Sequence, residues 1–107
     1  MKNVKYNGPE RRKNLRVTYK PDKRPTLKVG ENEFKVADLS ERALRFFYDR
    51  KMEVEYRVSG KLTLLCGELI DIDGMVVKKE QEDICINLNT PIQKKILHKE
   101  QQYINDD

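Results

Sequence analysis

The sequence predicts a mainly β domain: a small six-stranded antiparallel barrel with a C-terminal α-helix. Three observations carry this. Between Thr26 and Leu88 apolar residues recur with a period of two, in short runs divided by turn residues. After Pro91 the apolar spacing becomes that of an amphipathic helix. A chain of 107 residues with 37% hydrophobic content can fill one modest core, which suits a closed sheet with one helix packed on its open end.

The elements follow in order. Residues 1–24 hold Gly8, Pro9 and Pro21 and sustain no period, so they read as an irregular basic arm. Leu15, Val17 and Tyr19 alternate, and a short strand begins near Arg16. The barrel occupies 25–107, the two parts forming one domain. Thr26–Val29 is a strand, and Gly30-Glu31-Asn32 is a hairpin turn. Phe34, Val36 and Leu39 mark the next buried side, and Leu44, Phe46 and Tyr48 the one after. Met52, Val54, Tyr56 and Val58 alternate and stop at Ser59-Gly60. Leu62–Ile70 reads as one long strand with Gly67 at a bulge, Asp71–Gly74 as a turn, and Met75–Lys78 and Ile84–Leu88 as two further strands. Thr90 is placed as the helix N-cap with Pro91 at the first helical position. Ile92, Ile96, Leu97 and Ile104, extended by Tyr103, form the helix stripe. Lys94, Lys95, Lys99 and Glu100 are assigned to its other faces, and 105–107 to a frayed end.

The net charge of +4 conceals an asymmetry. Residues 1–28 carry ten basic and two acidic side chains, a net of +8; the rest carry twelve and sixteen, a net of −4. A basic arm on a mildly acidic body calls for an anionic partner. No apolar run approaches the roughly 18 residues of a membrane span, and the basic N-terminus lacks an apolar stretch behind it, so a cytoplasmic location is expected. Cys66 and Cys85 read as thiols buried on strands. With His98 they are too few for a four-ligand zinc site. His98 reads as a surface helix residue, and Asp71 and Asp73 as turn residues. No nucleophile has a positioned base and no glycine-rich phosphate loop occurs, so neither catalysis nor a metal or cofactor is expected.

Two motifs remain. Arg11-Arg12-Lys13-Asn14-Leu15-Arg16 presents guanidinium groups at Arg12 and Arg16, i and i+4. After 21 intervening residues, Asp38-Leu39-Ser40-Glu41-Arg42-Ala43 presents a carboxylate and a hydroxyl on one strand face. Arginine clamps phosphate and the guanine O6/N7 edge and stacks on flat rings. A carboxylate accepts from guanine N1 and N2 hydrogens. The order RxxxR, about twenty residues, then [D/N]xSxxG resembles the PilZ domain, a bacterial receptor module for cyclic di-GMP, over about residues 9 to 104.

The resemblance implies the same barrel and helix. It implies that Arg12 and Arg16 grip phosphate and guanine, that Asp38 accepts from a guanine, and that Ser40 donates to phosphate or supports the loop. Arg11, directly before the motif, is placed to stack on a second purine, which favours an intercalated ligand pair over a single molecule. Ala43 stands where the family usually has glycine. A left-handed backbone there would cost alanine about 1–2 kcal/mol, and a close ligand approach would meet its methyl.

Three readings follow. The first is a non-enzymatic cyclic di-GMP receptor whose arginine arm couples nucleotide binding to an effector protein. The second, carried by Ala43, is a degenerate PilZ domain acting as a protein-interaction adaptor. The third is a small RNA-binding barrel, ranked last because most Phe and Tyr residues fall at core positions rather than on exposed stacking faces. Ligand-binding residues are thus expected at Arg11, Arg12, Arg16, Asp38, Ser40 and Ala43. Neither membrane insertion nor a nucleic-acid partner is expected.

Overall fold

The computed structural model describes residues 15–49 and 51–106. Seven strands and one helix follow in the order β1 (Val17–Thr18), β2 (Thr26–Val29), β3 (Asn32–Leu39), β4 (Ala43–Phe47), β5 (Arg57–Thr63), β6 (Leu69–Lys79), β7 (Asp83–Leu88) and α1 (Lys94–Asn105). Every pairing is antiparallel. β2, β3, β4, β7, β6 and β5 close into a six-stranded barrel, and β1 is an added strand on β3. The mainly β barrel with a C-terminal helix is therefore the fold the periodicity predicted.

Phe34, Val36, Leu39, Leu44, Phe46, Val58, Leu62, Ile84 and Ile86 fill the barrel interior, with Phe34 and Phe46 ring centroids 5.0 Å apart. One irregularity explains why Val36 and Leu39, three residues apart, both point inward. The β3–β4 register runs Val36↔Phe46 and then Asp38↔Arg45, with a β-bulge between them. The extra residue flips the alternation, so Leu39 enters the core and Asp38 moves to the outer wall. β3 also shares one edge between two partners, β2 along Asn32–Lys35 and β1 at Asp38–Leu39. Val17 and Tyr19 are buried, so this stretch of the arm is stitched onto the barrel.

Four local readings are corrected. β5 begins at Arg57, not Met52, and runs through Ser59-Gly60 instead of stopping there. Gly60 lies where β5 crosses close to β2: a Cβ would sit 2.2 Å from the Lys28 carbonyl oxygen. Gly60→Ala is accordingly expected to lower the unfolding free energy by about 1–3 kcal/mol, read as a lower urea midpoint at unchanged slope. Second, Leu62–Ile70 is not one strand. Leu64–Glu68 is the β5–β6 turn, closed by Leu64 N–H to Glu68 O (2.9 Å), and Gly67 occupies it at φ +101°, a conformation open chiefly to glycine.

Third, Asp71–Gly74 is not a turn but the interior of β6. Asp71 pairs with Lys61 across the outer wall. Asp73 accepts from Arg57 (2.9 and 3.0 Å), Ser59 (2.7 Å) and Asn89 (3.0 Å). The Arg57 hydrogen bond, then those of Asn89 and Ser59, hold its carboxyl well below the usual range. A carboxylate with a depressed folded pKa adds stability above its unfolded pKa, about 4, and loses it as the pH falls towards the folded value. The difference in melting temperature between wild type and Asp73→Asn should therefore be full at neutral pH and narrow steadily below about pH 4; a constant difference down to pH 2 would contradict it.

Fourth, Thr90 and Pro91 do not open the helix. α1 starts at Lys94 behind Gln93, with no side-chain cap. Ile92 is buried just ahead of the helix, its N–H held by Glu41 O at 2.8 Å. That contact and Leu88 N–H to Arg42 O (2.8 Å) fix the chain's exit from the barrel and delay the first helical turn.

The two cysteines also differ from expectation. Both are free and half-buried, and Cys66 is in the β5–β6 turn while Cys85 is on β7 as expected. Leu97 packs inward as predicted, but Tyr103 is 49% exposed and Glu100 is fully buried. Glu100 accepts from the Tyr19 hydroxyl (2.7 Å), Leu65 N–H (3.0 Å) and Cys66 N–H (2.9 Å). It lies four residues from Ile96 and Ile104 and three from Leu97, hence on the apolar stripe. A carboxylate there had to find donors elsewhere in the fold.

Candidate functional site

Asp38 is the centre of the site. The bulge turns it outward, yet its side chain is only 8% exposed because two arginines cover it. Arg45 lies directly opposite across the β3–β4 ladder. Its Nε and Nη2 both donate to Asp38 Oδ2, at 2.9 and 2.6 Å. Arg16, just ahead of β1, donates through Nη1 to Asp38 Oδ1 at 3.4 Å. Among the described residues the two oxygens are thus held very differently: Oδ2 by two short charge-assisted bonds, Oδ1 by one long contact from a side chain that is 62% exposed. An exposed ion pair of that length contributes little to stability, so Oδ1 can be taken by another donor at small cost.

Around this pair the outer wall is polar. Arg45 Nη1 also lies 3.8 Å from Asp83 Oδ2 on β7, and the Asp38 hydrogen bond drives its guanidinium still further from deprotonation. Cys85 stands opposite Arg45 on β7. Burial, then the Asp38 charge, push its thiol up, so it is not an activated nucleophile. Two residues beyond Arg45, Phe47 carries the Arg24 guanidinium 4.4 Å over its ring, a cation–π contact.

The second motif makes the β3–β4 turn. Ser40 N–H donates to Ala43 O at 2.8 Å, closing a two-residue link of Glu41 and Arg42. Ser40 Oγ turns towards the same carbonyl at 3.4 Å, a loose contact that leaves the hydroxyl free to reorient. Ala43 is half-buried and begins β4, in register with Asn87. Its backbone is that of a paired strand residue, so the alanine carries no left-handed strain here.

Of the six residues expected from sequence, Arg16, Asp38, Ser40 and Ala43 come together at the β1–β3–β4 junction; Arg11 and Arg12 lie outside the described residues. Arg45 escaped sequence reasoning. Its signal was present: it alternates with Leu44 and Phe46 and must face outward on the strand paired with Asp38's. Among the described residues, no group of three or more His, Cys, Asp and Glu side chains could hold a metal ion. None of the helices among them is long and apolar enough to cross a membrane.

The PilZ domain profile matches residues 10–105. The chain belongs to the PilZ domain family. Searches of curated proteins and of solved structures gave no significant match. The family assignment covers nearly the whole chain, including the RxxxR segment, the bulged strand with its D-x-S turn, and the helix. PilZ domains serve as cyclic di-GMP receptors and adaptors, and among the described residues Arg16 of the first motif lies beside Asp38 of the second.

Proposed function

We propose that this PilZ domain is a non-enzymatic cyclic di-GMP receptor that binds at the β1–β3–β4 junction and couples occupancy to an effector protein. The observation that carries this is the asymmetry at Asp38. Arg45 fixes one carboxylate oxygen and so orients the group, while the other faces Arg16 through a long, exposed contact. A guanine edge donating from N1 and N2 takes the Oδ1 side, Arg16 swings to phosphate or to the guanine O6/N7 edge, and Ser40 Oγ leaves the turn carbonyl for a phosphate oxygen. Arg12 is assigned to the same clamp, and Arg11 to stacking on a second purine in an intercalated pair. Arg45 holds Asp38 from behind. No cofactor is needed, and the location proposed is cytoplasmic.

Ala43 supports the adaptor reading, in which the domain has lost the nucleotide. Calorimetry decides between them. Saturable heat with cyclic di-GMP, at one or two ligands per chain, bears out the receptor; absence of heat with cyclic di-GMP and with a generic oligonucleotide leaves the adaptor. Oligonucleotide binding that weakens steeply with salt would instead favour the RNA reading.

A further inference from the structure

We propose that helix α1 is the element that reports occupancy of the nucleotide site, through two hydrogen-bonded tethers, one to each motif segment. This rests on the receptor reading above and adds its output. The first tether is Ile92 N–H to Glu41 O at 2.8 Å, which ties the approach to α1 to the turn between Ser40 and Ala43. The second is the Tyr19 hydroxyl to Glu100 Oε2 at 2.7 Å, which ties the body of α1 to the segment three residues beyond Arg16.

The second tether is built as a latch. Glu100 is fully buried, and its other bonds go to Leu65 and Cys66 in the β5–β6 turn, so one carboxylate joins three separate elements. Burial first, and then the Glu100 hydrogen bond, raise the Tyr19 phenol far above its ordinary value, so it stays a neutral donor. Tyr19 belongs to the buried core cluster that also holds Leu97, with Leu65, Ile96 and Ile104 packed against it. A pocket of about 170 Å³ opens beside it, between Tyr19, Lys20 and Asp22 on the arm side, Leu65 of the β5–β6 turn, and Tyr103 and Ile104 of α1. Within that contact the hydroxyl–carboxylate bond is the directional link between the arm and α1. The strap itself is short: β1 is two residues long and, among the described strands, pairs with β3, at Leu39 and Asp38. Whatever fixes Arg16 and the Ser40–Ala43 turn therefore restrains Tyr19 and Glu41 and, through them, α1.

The test is hydrogen exchange of the α1 amides with and without cyclic di-GMP, on samples whose saturation is measured by calorimetry. In wild type, ligand is expected to slow α1 exchange about fivefold or more. In Tyr19→Phe, the slowing should shrink to less than about twofold, with affinity lowered by no more than the factor lost, as linkage requires. Glu100→Gln, which keeps an acceptor, should fall between the two and serves in place of Tyr19→Phe if that variant melts early. Heat of binding with unchanged α1 exchange, or a full response in Tyr19→Phe, overturns this proposal alone. Absence of heat removes the receptor reading and this proposal with it.

Discussion

Glu100→Leu is expected to lower the unfolding free energy by about 3–5 kcal/mol, because it strands the buried Tyr19 hydroxyl and two half-buried amides at once. Leucine matches glutamate in helix propensity and fits an apolar stripe, so neither helix formation nor hydrophobicity opposes the change. The cost falls on the Tyr19 hydroxyl and the Leu65 and Cys66 amides, which lose the acceptor that the fully buried Glu100 supplies. In a domain of this size that corresponds to a fall of roughly 15–30 °C in melting temperature. Glu100→Gln retains an acceptor oxygen and should cost about 1–2 kcal/mol. Urea denaturation of the three proteins checks the ranking; a leucine variant as stable as wild type would show that the carboxylate is dispensable to the fold.

Asp38→Ala and Arg16→Ala are each expected to weaken cyclic di-GMP binding by well over tenfold, since charge-assisted contacts are worth about 1.5–3 kcal/mol each. Their effects on the free protein differ. Arg16 is 62% exposed and touches Asp38 at 3.4 Å, so its loss should leave the thermal melt nearly native. Removing Asp38 takes the partner from Arg45, which is 43% exposed and can be rehydrated, so the stability loss should be modest. Calorimetry on variants of verified fold reads both. Native affinity in Arg16→Ala would take the arm out of the site, and native affinity in Asp38→Ala would take out the bulged strand.

Arg45 is the instructive omission. The sequence placed it on an outward strand position, but its meeting with Asp38 depends on the β3–β4 register, which depends on the bulge after Val36. Glu100 is the converse. The sequence reading assigns it to another face, although its spacing from Ile96 and Ile104 puts it on the apolar stripe; its donors were not legible at all, because they come from residues 19, 65 and 66, far away in sequence. Two of the strand errors share one cause. Glycine was read as punctuation at 60 and 74, whereas in both places it admits a neighbouring backbone: added Cβ atoms would lie 2.2 and 2.6 Å from the carbonyl oxygens of Lys28 and Asn87.

By itself the sequence determined what depends on local period and composition. The alternation from Thr26 to Leu88 specified a mainly β fold with a buried face, the stripe from Ile96 to Ile104 specified one helix, and the two spaced motifs specified the family. Tertiary structure decided what depends on register and on contacts between distant segments. It turned Asp38 outward, set Arg45 against it, drew Tyr19 into the core and gave Glu100 its three donors. Period is a property of neighbours along the chain, while a bulge, a shared strand edge or a buried carboxylate is settled only when the barrel closes.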